Sequence, residues 1–419
     1  TSIYGIVDGL CVSNFVGKTA FAAVNLIMPL PMLLGTIGFM LGTGGSAIVG
    51  ITLGEGDQKK ADRYFTLFLL AALVSVSVLA VLGIVFLRPI AVLLGAKGEL
   101  LDYAVRYGRI LMVSLPTFAL QNMFQSFFVT AEKPHLGFWF TVGAGCTNMV
   151  LDVLMVGVWG WSVEGAAIAT FISQLVGGVL PVFYFIDRSN SSRLHLCQTK
   201  VYGGVLRDAC INGSSELMTN LSMSLVNILY NYQLLRLAGE NGVAAYGVIM
   251  YAAFLFVAVF VGYAVGSAPI VSFHYGARNH AEVHNLYRKS LRLIAVVAVT
   301  LTLASMFIIP CVARVFVGYD AELLALTSRA FRLYALSFLI MGFNVYASSF
   351  FTALGDGVTS ALISFLRTLA FQVIAILLLP MLLGIDGIWL AVTAAELAAL
   401  AVSAAMLLTK DKVFHYRKV

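Results

Sequence analysis

Long runs of apolar residues, separated by short polar segments, cover almost the whole chain. Many of these runs exceed the roughly 20 residues that a helix needs to cross a bilayer. The pattern predicts twelve transmembrane helices, six in each half, at 1–14, 21–52, 64–87, 104–130, 136–158, 163–186, 205–236, 243–273, 290–311, 327–353, 358–382 and 386–409. The first run would rise only about 21 Å as a helix, less than the hydrocarbon core of about 30 Å. We therefore expect the first helix to be truncated at its N-terminal side.

The composition agrees with an integral membrane protein. Hydrophobic residues make up 60% of the chain and charged residues 11%, and the mean hydropathy is +0.94. An ordinary soluble domain carries roughly 25% charged residues. The predicted fold class is therefore all-α and membrane-spanning.

Several features recur about 222 residues apart, which indicates an internal duplication. They are Gly17 and Gly239, Gly54 and Gly276, Pro89 and Pro310, Ser126–Phe128 and Ser349–Phe351, and Glu164–Gly165 and Asp386–Gly387. Parallel repeats of this kind are typical of transporters, in which two similar bundles rock around a central site. We predict an N-terminal lobe at 1–186, a polar linker at 187–204 and a C-terminal lobe at 205–419.

The positive charges predict the orientation. Of 26 Lys and Arg residues, sixteen lie in the tail and in loops after even-numbered spans, nine lie on the other side, and Arg367 falls inside a span. Cytoplasmic loops carry the excess of positive charge, so both termini should be cytoplasmic. This distribution accounts for the net charge of +6 and gives no support for a nucleic-acid partner.

Motifs for other chemistry are missing from the sequence. The five cysteines are scattered without a C-x-x-C pair, which favours packing over disulfide or metal roles. No G-x-S-x-G or H-E-x-x-H motif appears, so we expect neither an enzyme nor a bound cofactor.

A first group of polar residues is predicted near one depth of the membrane. A carboxylate inside a span is costly and points to function, and Asp8 and Asp152 both lie about six residues before the outer ends of their spans. Thr170 lies about seven residues into its span from the same side, so all three fall roughly 9–11 Å below the surface at 1.5 Å per residue. Asn148 lies one turn deeper than Asp152 on the same face. Such a cluster holds either a proton or a sodium ion, unless its members only hydrogen-bond between helices.

Glu216 and Glu396 form a second group, about 15 Å from the surfaces and near the bilayer centre. Transporter substrate sites lie at this depth, and a carboxylate there suits a cationic substrate. The alternative for each is a buried acid held by hydrogen bonds or by a salt bridge to Arg367.

The sequence around these residues resembles the multidrug and toxic compound extrusion (MATE) family. The similar stretches are GIVDGLCVSNFVG and AFAAVNL within 5–26, LGEGD at 53–57, NMVLDVLMVG at 148–157 and VEGAAIAT at 163–170. The resemblance implies a two-lobed, twelve-helix antiporter that exports organic cations and drugs. It also implies that Asp8, Asn148, Asp152 and Thr170 bind the coupling ion, and that Glu216 occupies the place of an acid that several members carry.

The function that we predict is secondary efflux of small organic cations in exchange for H⁺ or Na⁺, by a monomer in the plasma membrane. Sodium would bind at Asp8, Asn148 and Asp152, with no other metal. The first alternative is a lipid-linked precursor flippase of the same superfamily. A channel or structural membrane protein and an intramembrane enzyme are the more remote alternatives.

Overall fold

A computed structural model describes residues 11–318 and 320–416, which are helical apart from the connections between helices, the longest of which is 187–202, and contain no strand. The α-helices in chain order are α1 (Lys18–Ile27), α2 (Pro29–Gly54), α3 (Gln58–Leu93), α4 (Glu99–Thr130), α5 (Pro134–Asp152), α6 (Ser162–Gly178), α7 (Leu180–Ile186), α8 (Gly203–Asn212), α9 (Ser214–Gly276), α10 (His280–Val317), α11 (Ala321–Ala335), α12 (Phe338–Ala353), α13 (Gly357–Phe365), α14 (Phe371–Leu383), α15 (Ile385–Thr409) and α16 (Asp411–Phe414). Three π-helical segments are Val12–Val16, Val153–Val158 and Leu366–Ala370. Helices dominate because in hydrocarbon every backbone polar group must be bonded internally.

The predicted spans from the second to the twelfth each fall on one of these helices or on consecutive ones. Within the described residues, eight helices are long and apolar enough to cross a membrane. A ninth arises if the bent pair Ala321–Ala335 and Phe338–Ala353 forms one span. The count of twelve, the truncated first helix and the duplication therefore stay predictions.

Two short turns join helices in the same way. Gly56 and Gly355 take positive φ values of 85° and 83°, a conformation that glycine adopts without a Cβ clash. Asp57 and Asp356 follow them and cap α3 and α13, accepting hydrogen bonds from the backbone N–H groups of the third residue on. A glycine that ends one helix and an aspartate that caps the next make these connections tight.

The chain packs as two compact units. The first runs to Thr52 and resumes over Asp57–Gly213, and the second contains Leu53–Gly56 and continues from Ser214. The boundary lies at Gly213, between α8 and α9, and α9 itself breaks again at Gly239, where φ is 60°. The predicted lobes at 1–186 and 205–419 stay a prediction.

In the first unit, a cluster of aromatic rings fills the space between α3, α4 and α7. Phe65 packs within 4.8 Å of Phe127 and 5.0 Å of Phe185, measured between ring centroids. Phe124 stacks on Phe185 at 5.6 Å. These rings are almost completely buried, and aromatic pairs at such distances add to the stabilisation that burial provides.

Residues 193–199 of the predicted linker lie along the start of α3, and we call this segment the strap. The Asp62 carboxylate accepts a hydrogen bond of 3.0 Å from the His195 backbone N–H, and the Thr66 hydroxyl accepts one of 3.1 Å from Cys197. Leu194 inserts its side chain, which is fully buried. The linker is therefore fixed to the first unit by side-chain bonds to its backbone.

Candidate functional site

The first unit contains a buried polar pair between α5 and α6. The Asn148 side-chain amide donates a long hydrogen bond of 3.4 Å to the Thr170 hydroxyl. Asn148 is fully buried and Thr170 is 8% exposed. Asp152 is also fully buried, one turn after Asn148 on α5. The structure therefore brings together three of the four residues predicted as the ion site in one buried region of α5 and α6.

The amide oxygen of Asn148 is a buried acceptor. Among the described residues, this buried oxygen has no hydrogen-bond partner. Buried polar atoms in folded proteins are almost always bonded to protein or water, so this oxygen is available to accept a bond from a ligand. Asp8, the fourth predicted member of the cluster, lies outside the described residues.

A π-helical segment begins directly after Asp152 and extends over Val153–Val158. A π-bulge inserts an extra residue into a helix and is frequent at functional sites. It frees backbone groups from the regular pattern and changes the direction of the side chains that follow. Neither the extra residue nor its place could be read from the apolar pattern.

The second unit contains a buried ion pair between α15 and the π-helical segment Leu366–Ala370. The Arg367 Nε–H donates to Glu396 Oε1 at 2.8 Å, and the Asn344 amide donates to Glu396 Oε2 at 2.7 Å. The same amide donates to the backbone oxygen of Glu396 at 2.9 Å. Glu396 is fully buried and the Arg367 side chain is 13% exposed. Both oxygens of Glu396 are thus occupied by donors of the same unit.

Four buried hydroxyl groups connect α12 and α13 next to this ion pair, and we call them the hydroxyl ladder. The Ser348 hydroxyl lies 2.8 Å from that of Ser360 and 2.9 Å from that of Ser364. Thr352 donates to Ser360 at 2.7 Å. On α12 the polar positions are one turn apart and continue to Asn344, so the two helices meet along a polar seam that ends at Glu396.

The polar seam between α12 and α13 has a second charged group at its other end. Asp356, the cap of α13, pairs with Lys410 at 2.8 Å and accepts from the Thr359 hydroxyl at 2.8 Å. Burial opposes ionisation of Asp356, but the bonds from Lys410 and Thr359 outweigh it and hold the pKa of this carboxyl below its ordinary value.

Glu216 lies in the first turn of α9, three residues after the break at Gly213. Its side chain is partly buried, and α9 packs against the segment that carries Arg367. Among the described residues, its carboxylate has no hydrogen-bond or ion-pair partner, although it lies within electrostatic range of Arg367. Glu216 therefore differs from Glu396, whose two carboxylate oxygens both accept bonds from side chains of the same unit.

Sequence reasoning did not single out Asn344 or the hydroxyl ladder. The sequence does contain a pattern that could have identified them. Asn344, Ser348 and Thr352 are spaced to lie on one helix face, and Ser360 and Ser364 follow on the next helix. A polar stripe at a spacing of four residues inside an apolar span indicates a partner stripe on a neighbouring helix. Which carboxylate closed the seam could not be read from the chain, because Glu396 lies 52 residues after Asn344.

The sequence is similar to a known protein family and to curated relatives. The family model MatE matches residues 1–154 and 217–378 of this chain. Two relatives are multidrug export proteins MepA, from Staphylococcus saprophyticus and from a strain of Staphylococcus aureus. Each is 21% identical to this chain, and the matches cover 98% of this chain and 90% of each relative.

Solved structures show the same fold. A MATE crystal structure in complex with MaL6 superposes with a TM-score of 0.93 at 22% identity, covering 99% of this chain and 93% of that one. An outward-facing MATE family transporter of the MOP superfamily gives 0.93 at 22% identity, with 99% and 92% covered. A MOP superfamily transporter from Pyrococcus furiosus, described by a reversed polarity of its binding pocket, gives 0.91 at 23% identity, with 100% and 93% covered.

Proposed function

The chain belongs to the MatE family, a family of transporters rather than enzymes, and we propose that it exports small organic cations in exchange for H⁺ or Na⁺. The relatives named above are multidrug export proteins, which supports a broad range of organic substrates. The proposal places the coupling ion in the first unit and the substrate charge in the second.

The observation that carries the proposal is the buried oxygen cluster of α5 and α6. Asn148 offers an amide oxygen without a partner among the described residues, Thr170 a hydroxyl and Asp152 a carboxylate, and we assign Asp8 to the same cluster. Hard cations prefer carboxylate, amide and hydroxyl oxygens. Two carboxylates in a low dielectric also hold a proton. The donor set therefore supports a small cation as the coupling species.

Glu216 supplies the charge that we assign to the substrate. Its carboxylate is partly buried and has no hydrogen-bond or ion-pair partner among the described residues, so a cation can compensate it. The assignment of Glu396 to the substrate stays a prediction. Its full burial and its bonds to Arg367 and Asn344 favour a supporting role instead.

The lipid-linked precursor flippase is the less favoured reading. Such a substrate carries phosphate groups and needs a site with excess positive charge. The buried centre of the second unit has two acids, Glu216 and Glu396, for the single guanidinium of Arg367. Its net charge has the sign that suits a cation.

In the mechanism that we propose, the ion enters from the outside and binds at the Asp8–Asp152 cluster. An ion shifts the population of two conformations only if it binds one of them more tightly. Binding at the cluster favours the outward-facing state, in which the substrate leaves. We assign the protein to the plasma membrane as a multi-pass transporter with both termini in the cytoplasm.

The experiment is efflux of ethidium from proteoliposomes that contain the purified protein, with proton and sodium gradients imposed separately. We expect one gradient to drive efflux, and Asp8→Asn or Asp152→Asn to abolish it while the purified variants keep their melting temperature. Asp187→Asn, in a loop outside the spans, is the matched control. In a drug-sensitised host, Asp8→Asn should remove resistance without loss of expression. Normal resistance in that variant would contradict the assignment of the ion site.

A further inference from the structure

Three neighbouring elements of the second unit each carry a charged side chain: Glu216 on α9, Arg367 on the π-helical segment and Glu396 on α15. Arg367 is bonded to Glu396 at 2.8 Å and lies within electrostatic range of Glu216. With both acids ionised, this group carries one net negative charge. Each charge lies on a different helical segment, so the net charge around Glu216 depends on the position of Arg367.

The position of Arg367 is determined by its surroundings on the side of Glu396. Asn344 holds the second oxygen of that carboxylate at 2.7 Å. The hydroxyl ladder fixes α13 against α12 through contacts of 2.7–2.9 Å between Ser348, Thr352, Ser360 and Ser364. Ser364 is three residues before Arg367, so the ladder also sets the start of the π-helical segment that carries the guanidinium.

Glu216 is left as the acid that Arg367 does not neutralise. An unpaired buried charge is strongly unfavourable, and the charge of Arg367 is compensated by Glu396 at 2.8 Å. If Glu396 were neutral, the guanidinium would need another counter-ion. Glu216 is within its electrostatic range, on a helix that packs against the same segment.

We propose that the position of Arg367 determines which substrate charge this site selects. Glu396 and Asn344 are positioning residues that hold Arg367 away from Glu216, which leaves one negative charge and selects organic monocations over dications. This inference rests on the proposed function and extends it from cationic substrates in general to substrates with a single charge.

The substitution Glu396→Gln tests the inference because it keeps the size of the side chain and one acceptor oxygen but removes the charge. Arg367 then pairs with Glu216, and the centre becomes neutral overall. We expect ethidium efflux in proteoliposomes to fall about ten-fold or more, as expected for the loss of one charged contact. Glu164→Gln is the matched control, since it removes a carboxylate from the exposed pair with Arg106 and should leave efflux unchanged.

The double variant Arg367→Met and Glu396→Gln separates this inference from simple misfolding. Removal of both charges avoids the cost of leaving one buried charge without its partner, so we expect the double variant to melt near the parent temperature. It restores the single charge of Glu216, and monocation efflux should return to within about three-fold of the parent. A folded double variant without efflux, or a single variant with normal efflux, would overturn the inference.

Substrate charge gives an independent measurement in the unmodified protein. Methyl viologen, a dication, should compete with ethidium about ten-fold less strongly than tetraphenylphosphonium, a monocation. Equal competition would overturn the charge balance. Absence of any cation efflux in the unmodified protein would instead contradict the proposed function, so the two failures are distinguishable.

Discussion

At the scale of single residues, each unit contains a buried asparagine whose amide nitrogen donates a hydrogen bond while its oxygen has no partner among the described residues. In the second unit, Asn344 donates to Glu396, which also pairs with Arg367. In the first unit, the Asn148 amide oxygen has no partner among the described residues. A buried acceptor that lacks a partner weakens stability, and at Asn148 we assign this acceptor to the coupling ion.

Replacement of Asn148 by Leu should therefore separate stability from function. Among the described residues, the amide makes only the long bond to Thr170, so we expect a change in unfolding free energy of about 1 kcal/mol or less. Ion-driven efflux should fall at least about ten-fold, because a bond to a charged group contributes more than a neutral one. Melting temperature and ethidium efflux measure the two effects. Asn122→Leu, at another buried asparagine of the first unit, serves as control, and similar losses of efflux in both variants would contradict the role of Asn148.

At the scale of helices, the two aspartate caps provide a matched pair. Asp57→Ala removes a cap at an exposed position, which costs about 1 kcal/mol. Asp356→Ala removes the same kind of cap and also the ion pair with Lys410, so we expect a cost of about 2 kcal/mol. Denaturation of the purified variants gives the difference. Equal costs would show that the ion pair with Lys410 contributes nothing.

The stabilisation that Asp356 provides depends on pH, because the pKa of its carboxyl is lowered in the folded protein. Its stabilisation is fully present above the unfolded value, about 3.9, and is lost as pH falls through the lower folded value. The difference between the parent and Asp356→Ala should therefore narrow below about pH 4. A difference that stays constant at low pH would rule out the charge as its source.

The helices themselves could largely be predicted, since long apolar runs have few alternatives in a bilayer. What could not be predicted are the interruptions: the break at Gly213, the kink at Gly239 and the π-helical segments beside Asp152 and Arg367. These depend on contacts between distant parts of the chain. The same reason applies to the sites. Asn148 and Asp152 share a helix face, which spacing reveals, whereas the bond from Asn344 to Glu396 joins two helices that are far apart in sequence.

At the scale of the whole molecule, the linker that the sequence predicts does not coincide with the boundary between the two packing units. The predicted linker at 187–204 looks like a free connection in the sequence, but the strap binds it to α3. Helix α8 belongs to the first unit too, where a Cβ at Gly213 would overlap the Met40 carbonyl. The last passage of the chain from the first unit to the second thus falls at the glycine–serine step of 213 and 214.

A break in the backbone near Ser189 should consequently leave the protein assembled. A protease site inserted after Ser189 would cut the chain in its exposed loop. The strap and α8 would then belong to the C-terminal fragment, and we expect them to stay docked on the first unit without a covalent link to it. We expect the nicked protein to melt close to the intact one and to retain efflux. The uncut variant with Asp62→Ala and Thr66→Val should lose about 2 kcal/mol, because two bonds to the strap are gone. A nicked protein that melts below that variant would show that continuity of the backbone, rather than the strap, holds this region. The strap thus makes the protein a natural candidate for production as two complementing fragments.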